Sequence, residues 1–228
     1  MNRERAVEIV RKARDAGRET LSEHESKEVL ACYGIPVTRE ILVTGKKEVP
    51  RAAEEIGYPV VMKGCSWRVA HKTEKGLIRT DIRTAGEALA AFDEIVRAMD
   101  GDSGGVLVQQ MVRGRRELVM GMTRDAQFGP CVMFGLGGIF TEILRDAIFR
   151  KAPLERRDAL EMMEEIRGRE ILGAARGMAA ADRDRLAEML IRVGEIGLEI
   201  GDVKEIDLNP VILAGPVPVV VDALMALT

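Results

Sequence analysis

Oxygen-bearing side chains alternate near the end of the chain, at Glu205, Asp207 and Asn209. Because alternate residues of a β-strand point to the same side, this spacing predicts three polar side chains on one face of one strand. Pro210 follows them and is expected to mark an edge or an end of the strand, since proline cannot donate a hydrogen bond to a sheet. The segment is therefore a candidate for a ligand-binding strand.

A returning strand brings a further carboxylate, Asp222, after three consecutive valines. If residues 214–217 form a four-residue loop, Leu213 pairs with Pro218 and Asn209 lies opposite Asp222. Two carboxylates and an amide oxygen then share one face, and such oxygen ligands suit Mg²⁺ that also holds nucleotide phosphates. The same spacing fits a solvated polar face on a half-exposed hairpin, so spacing alone leaves both interpretations open.

A lysine, Lys63, ends the apolar run that starts at Pro59. An ammonium at the edge of a buried strand needs an anionic partner, because an unpaired buried charge is costly. Taken alone, the pattern equally fits a strand-end lysine whose ammonium reaches solvent.

A glycine-rich run covers residues 134–140 and follows an apolar strand. Glycines such as Gly137 and Gly138 let backbone amides approach an anion closely. The run is not a Walker A motif, since no Gly-Lys-Ser/Thr follows, and a tight hairpin explains it as well.

Four charged residues crowd the stretch after the glycines: Glu142, Arg145, Asp146 and Arg150. Arginines suit phosphate recognition, and a carboxylate can orient an imidazole. A surface network of ion pairs is the alternative.

The chain has two histidines, His24 and His71. His24 is expected in the first turn of a helix, most simply at the surface. His71 lies in a polar loop after Lys63, where an unprotonated ring nitrogen can accept or steer a phosphoryl group. A solvated loop histidine is the alternative for His71.

Composition limits the classes of partner. The 228 residues are 46% hydrophobic and 4% aromatic, with a net charge of −3, so neither nucleic acid nor an anionic membrane surface is expected to bind. The three scattered cysteines match neither a zinc site nor a disulfide framework, and they predict reduced thiols in a cytoplasmic protein. The first residues predict an amphipathic helix and no signal peptide.

Strands and helices alternate, which predicts an α/β or α+β fold with mixed sheets. A change of lobe is expected near residues 110–115, where Val112-Arg113-Gly114 interrupts two strands. Strands are predicted at 41–43, 59–63, 77–82, 106–109, 117–122 and 130–134, and helices at 22–33, 49–56, 84–99, 154–166 and 182–200, before a hairpin at 203–223.

Several segments, in this order, resemble the ATP-grasp β subunit of ADP-forming acetyl-CoA (acyl-CoA) synthetases. The resemblance runs from about Leu21 to the C-terminus, and residues 127–140 are its most specific stretch. The segments are 25–37, 58–63, 71–73, 106–112, 128–146 and 205–210 with Asp222.

The resemblance implies an ATP-grasp fold, in which two lobes bind a nucleotide in the cleft between mixed or antiparallel sheets. It divides the chain into an N-terminal helix (1–20), an N-terminal lobe (21–109) and a C-terminal lobe (110–228).

The resemblance also assigns roles to individual residues. The lysine and the glycines would bind nucleotide phosphates, the hinge backbone would meet the base, and the hairpin would hold Mg²⁺. These positions are Lys63, Gly137 and Gly138 for phosphates, Gln110, Met111 and Val112 for the hinge, Asp207, Asn209 and Asp222 for the metal, and His71 and Glu142 for phosphoryl transfer.

The implied reaction is reversible: acyl-CoA, ADP and phosphate give a carboxylic acid, CoA and ATP. The implied partner is a CoA-binding α subunit with a phosphorylatable histidine, in an α2β2 assembly. Two stretches beside the phosphoryl site depart from the family's usual sequence, residues 64–69 and 74–77.

Two other functions are considered. One is a non-catalytic module that senses ATP or ADP and regulates a partner, although such a module need not keep His71. The other is an ATP-grasp carboxylate–amine ligase, which the short chain disfavours.

Overall fold

A computed structural model describes residues 2–68, 76–138, 146–175 and 177–228. The helices are α1 (Arg3–Asp15), α2 (Glu23–Cys32), α3 (Val49–Ile56), α4 (Ala85–Ala98), α5 (Arg156–Glu165) and α6 (Arg183–Glu199), with 3₁₀ turns at Lys46–Glu48 and Arg169–Leu172. The strands are β1 (Glu40–Val43), β2 (Val60–Cys65), β3 (Ile78–Ile82), β4 (Gly105–Gln110), β5 (Glu117–Asp125), β6 (Gly129–Leu136), β7 (Ala147–Lys151), β8 (Val203–Ala214), β9 (Val217–Val220) and β10 (Ala223–Leu227).

The chain forms two compact units. The smaller unit contains residues 22–24 and 38–111, and the larger unit contains residues 2–21, 25–37 and 112–228. The first turn of α2 is thus part of the smaller unit, while the rest of that helix is part of the larger one. The division into lobes at 1–20, 21–109 and 110–228 stays a prediction.

The smaller unit is a four-stranded antiparallel sheet in the order β1-β4-β2-β3. Every residue of β2 is buried, which explains why its sequence is a continuous apolar run. Helix α3 buries Val49, Ala52, Ala53 and Ile56, at the spacing of one helical face. Helix α4 begins after Thr84, whose hydroxyl accepts the Glu87 amide as an N-cap.

The larger unit is a six-stranded sheet in the order β10-β8-β5-β6-β7, and β9 also pairs with β8. All of its strand pairs are antiparallel. One face packs on α6 at two helical glycines: a Cβ at Gly194 would lie 3.2 Å from Val132, and one at Gly197 would lie 2.9 Å from Pro130. Helix and sheet therefore approach closely, and the other sheet face carries the polar residues of β8.

The predicted helices and strands are confirmed to within a few residues. The fold combines helices with antiparallel sheets, as the family resemblance implied, whereas the alternation of strands and helices had predicted mixed sheets. Strand β7 is a difference, because Ala147–Lys151 lies in the charged stretch that gave no strand prediction. Among the described residues, no helix is both long and apolar enough to cross a membrane.

Candidate functional site

The β8 strand presents its polar residues on one side, as the sequence predicted. Ile206 and Leu208 are buried in the core at 2% and 0% exposure, while Glu205 and Asn209 are exposed and Asp207 is half-buried. The two-residue alternation thus separates a core face from a polar face.

The hairpin register matches the sequence prediction. Leu213 pairs with Pro218, and Ala214 pairs with Val217, so the loop is a tight turn at Gly215 and Pro216 and not four residues long. Gly215 takes a φ of +65° at this turn, a conformation that glycine adopts without strain.

Asp222 lies opposite Asn209 in this register. The pair Val211–Val220 lies on one side of them and the pair Leu208–Ala223 on the other. Between them the Val221 amide donates to the Pro210 carbonyl at 3.0 Å. The hairpin therefore brings together Asp207, Asn209 and Asp222, the three predicted metal ligands.

Negative charge accumulates at Asp207. Burial, together with the neighbouring carboxylates of Glu205 and Asp222, raises its pKa to about 6. A divalent cation would relieve this repulsion, and hard oxygen donors are the ligands that Mg²⁺ prefers. The residues present therefore fit Mg²⁺.

The hairpin supplies only part of a coordination shell. Within the described ranges, no group of three or more His, Cys, Asp or Glu side chains is arranged to hold a metal ion. Two carboxylates and one amide leave positions for water and phosphate oxygens, which is how Mg²⁺ is commonly held with nucleotides.

A glycine lies directly beside Asp207 on the neighbouring strand, a feature that sequence reasoning missed. Gly121 of β5 pairs with Asp207 on one side and with Met133 of β6 on the other. Met133 in turn pairs with Phe149 of β7. A Cβ at Gly121 would lie 2.5 Å from the Ile206 carbonyl oxygen. The glycine within the apolar stretch 118–122 was the available signal, because it marks a close backbone approach.

Lys63, in the smaller unit, is buried and paired. Its ammonium donates to the Glu23 carboxylate at 2.8 Å, and the two side chains are 4% and 0% exposed. The expectation of an anionic partner is thus met within the unit by a residue 40 positions away. Sequence reasoning missed Glu23, whose one signal was its place at the start of a helix.

His24 is not simply a surface residue, which corrects the sequence prediction. Its Nδ1 lies 2.9 Å from the carboxylate of Glu40 on β1, and the two side chains are 27% and 7% exposed. A buried carboxylate needs a hydrogen-bond partner, and the nearby imidazole supplies one.

The predicted hinge residues follow β4. Gln110 ends the strand. Its backbone amide donates to the Arg39 carbonyl at 2.9 Å, and its side-chain oxygen accepts from the backbone amide and the guanidinium of Arg39. Met111 and Val112, which continue the chain, are both half-buried. Their contact with a nucleotide base stays a prediction.

The two predicted phosphate-binding glycines lie against Glu117 in the larger unit. The Gly137 amide donates to the Glu117 carbonyl at 2.9 Å. Gly138 takes a φ of +62°, and a Cβ there would lie 2.7 Å from the Glu117 carboxylate. A Cβ at Gly137 would lie 2.8 Å from the Glu117 backbone, so close packing requires glycine there, whereas at Gly138 the positive φ favours it. The predicted catalytic residues His71 and Glu142 lie outside the described residues.

Two charged residues after the glycine run have structural partners. Asp146 is buried, and its carboxylate accepts the amides of Arg167 and Gly168, both at 2.8 Å. Arg150 forms an exposed ion pair with Glu165, as the alternative interpretation of this stretch expected.

Ser66, in the stretch 64–69 that departs from the family's usual sequence, is held by a hydrogen bond. The Ser66 hydroxyl donates to Asp102 at 2.9 Å, and Asp102 also accepts the Gly104 amide at 3.0 Å. The Arg68 guanidinium lies over the Trp67 ring at 4.9 Å. These contacts fix the residues that lead into the segment containing His71.

Comparisons with known proteins agree with this architecture. An ATP-grasp domain model matches residues 12–227. The β subunit of acetate–CoA ligase (ADP-forming) I from Pyrococcus furiosus is 43% identical over 98% of both chains.

Two solved structures of an acetyl-coenzyme A synthetase from Ca. Korarchaeum cryptofilum are also similar. One, in complex with coenzyme A and Ca-AMPCP, has a TM-score of 0.92 at 41% identity and covers 97% of this chain and 99% of its own. The other, with coenzyme A and Mg-AMPPCP, has a TM-score of 0.87 at 41% identity and covers 98% and 100%.

Fold and matched residues together define an ATP-grasp protein. More particularly, the chain belongs to the family of β subunits of ADP-forming acetate–CoA ligases.

Proposed function

We propose that this chain is the nucleotide-binding subunit of an ADP-forming acyl-CoA synthetase. It transfers a phosphoryl group between a phosphohistidine and ADP, within the reaction in which acyl-CoA, ADP and phosphate give a carboxylic acid, CoA and ATP. The observation that carries the proposal is the 43% identity to an ADP-forming acetate–CoA ligase β subunit along 98% of both chains.

The hairpin is proposed to bind the metal of a Mg²⁺–nucleotide complex. Asp207, Asn209 and Asp222 would hold the ion, and the raised pKa of Asp207, about 6, supports a place for positive charge. When bound, Mg²⁺ supplies neutralisation of the phosphate charge that builds up during phosphoryl transfer. A related structure was solved with Mg-AMPPCP.

Lys63 is proposed to bind the nucleotide phosphates. Its side chain lies in an entirely buried strand, and its ammonium is held by a buried carboxylate. A fixed positive charge in a poorly solvated site stabilises a transferring phosphoryl group more strongly than the same charge in water does.

The remaining predicted residues take supporting roles. The backbone of Gln110, Met111 and Val112 would meet the base, and the glycine backbone at Gly137 and Gly138 would lie close to the phosphates. His71 would accept or relay the phosphoryl group, and Glu142 would meet the histidine of the partner. These roles are inferred from the match to the family motif.

The partner is proposed to be a CoA-binding α subunit with a phosphorylatable histidine. Support comes from the relative's designation as a β subunit and from coenzyme A in the related complexes. We further propose an α2β2 assembly.

Co-expression of the chain with its CoA-binding partner tests the proposal, with ATP formation from acetyl-CoA, ADP and phosphate as the assay. The complex should form ATP, and His71→Ala should abolish or strongly impair turnover while leaving ADP binding nearly intact. Nucleotide binding with no turnover in any acyl-CoA assay would indicate a sensing module instead. Unchanged turnover in His71→Ala would exclude the relay role of that residue.

A further inference from the structure

Two side chains in the first turn of α2 contact charged side chains on the sheet of the smaller unit. Glu23 accepts from Lys63 of β2 at 2.8 Å, and His24 lies 2.9 Å from Glu40 of β1. Strands β1 and β2 are not neighbours, since β4 lies between them. The turn is therefore fixed at two separate points of the sheet.

The Glu23–Lys63 pair is deeply buried. By comparison, the Lys46–Asp93 pair of the same unit lies at the surface, with side chains 49% and 45% exposed. Burying two charges costs solvation free energy that their attraction repays only in part, so apolar side chains of similar volume would stabilise the fold at least as well. Fold stability therefore gives no reason for an ammonium at this place.

We propose that Glu23 is a positioning residue, which fixes the ammonium of Lys63 for the phosphates of the nucleotide. The inference rests on the proposed function, because it takes Lys63 as the phosphate ligand. A lysine ammonium is a point charge on a flexible four-carbon stem. A carboxylate at 2.8 Å on a turn held by His24 and Glu40 restricts that stem to one position.

Positioning has a direct chemical benefit. A charge that is already in place stabilises a phosphoryl group without reorganisation during the reaction. Without Glu23, the buried ammonium would have one fewer anionic neighbour, and it would have to move or be solvated. Glu23 thus contributes to nucleotide binding through Lys63, without touching the nucleotide.

A double-mutant cycle tests this role in the whole 228-residue chain, with Mg·ADP titrated by calorimetry. The variants are Glu23→Gln, Lys63→Met and the double variant. Glu23→Gln should weaken Mg·ADP binding about tenfold, the usual size for loss of a hydrogen bond to a charged group. The double variant should bind no more weakly than Lys63→Met alone, because Glu23 acts through Lys63.

Asp93→Asn is the matched control, since it removes the carboxylate partner of an exposed lysine in the same unit. It should leave Mg·ADP affinity unchanged, because exposed pairs contribute little. Thermal unfolding of every variant separates a loss of fold from a loss of binding. If Glu23→Gln fails to fold, Glu23→Asp keeps the charge but shortens its reach, and it should weaken Mg·ADP binding by about threefold.

The outcomes are distinguishable. Unchanged or tighter Mg·ADP binding in Glu23→Gln, with weaker binding in Lys63→Met, would overturn the positioning role and leave the proposed function intact. Equal losses from Glu23→Gln in the wild-type chain and in the Lys63→Met variant would show a general structural effect and also overturn it. Failure of the wild-type chain to bind any Mg²⁺–nucleotide would contradict the proposed function, and the inference with it.

Discussion

Asn209 lies opposite Asp222 because one register runs through the terminal hairpin, from the pair Val211–Val220 to the pair Leu208–Ala223. Since the register does not change between these pairs, Asp207 and Asn209 are held within strand β8, and Asp222 lies between the paired strands β9 and β10. A rigid element places ligands more accurately than a loop does. The hairpin is thus well suited to hold a cation in a fixed geometry.

Asp207 should contribute to metal binding at the expense of stability. Its raised pKa, about 6, shows that burial and the carboxylates of Glu205 and Asp222 disfavour its charge. Asp207→Asn should therefore raise the free energy of unfolding of the metal-free chain by about 1 kcal/mol near pH 7.5. It should also remove the stabilisation that Mg·ADP gives the wild-type chain. Thermal unfolding with and without Mg·ADP measures both effects, and lower metal-free stability in the variant would contradict this interpretation.

Gly121 should be needed for the close approach of β5 and β8. A Cβ there would lie 2.5 Å from the Ile206 carbonyl, so Gly121→Ala should lower the free energy of unfolding by about 2 kcal/mol. Gly201→Ala is the control, because a Cβ at Gly201 meets nothing within 4 Å. Urea denaturation measures the difference between the two variants. Equal stability of both would show that the strands can shift without cost.

Arg116 should stabilise the larger unit through backbone carbonyls. It is 4% exposed, and its guanidinium donates to the carbonyls of Ile171, Gly173, Ala179 and Gly215. Lysine cannot reproduce this planar set of donors, so Arg116→Lys should lower the free energy of unfolding by about 2 kcal/mol.

The neighbouring Arg115 provides the control for that prediction. Arg115 is exposed, and Arg115→Lys should change the unfolding free energy by less than about 0.5 kcal/mol. Guanidinium denaturation measures both variants. A similar effect at the two positions would show that the four carbonyls do not depend on the geometry of Arg116.

Asp146 should stabilise the larger unit by connecting the start of β7 to the residues that follow α5. Its carboxylate accepts two backbone amides, those of Arg167 and Gly168. Asp146→Ala would leave both buried donors without this acceptor and should lower the free energy of unfolding by about 3 kcal/mol. Asp158→Ala, at the exposed start of α5, offers a comparison in which one cap bond is lost, that to the Glu155 amide. Chemical denaturation should rank Asp146→Ala as the less stable variant. The reverse order would contradict a stabilising role of the Asp146 hydrogen bonds.

The hairpin could be predicted from sequence because its information is local. Two-residue alternation in β8 and a turn at Gly215 and Pro216 determine both the polar face and the pairing of Leu213 with Pro218. The predicted four-residue loop was nevertheless too long, because Ala214 and Val217 also pair.

Strand β7 and the partner of Lys63 could not be predicted for two different reasons. β7 is an edge strand with Phe149 exposed at 53%, so its short sequence, between charged residues, lacks the apolar pattern of a buried strand. The Glu23–Lys63 pair joins residues 40 positions apart, and no local pattern specifies such a contact. His24 was misjudged for the same reason, because Glu40 reaches it only in the folded unit.

Phosphoryl transfer from the histidine of the partner to ADP is the step in which this chain is proposed to act. The most direct test is a single-turnover measurement with the partner labelled as ³²P-phosphohistidine, mixed with the chain and Mg·ADP. The label should move to ATP, and Asp222→Asn should slow that transfer by at least about 100-fold. If the label stays on the partner with the wild-type chain, or if ATP forms equally fast without the chain, the account is contradicted.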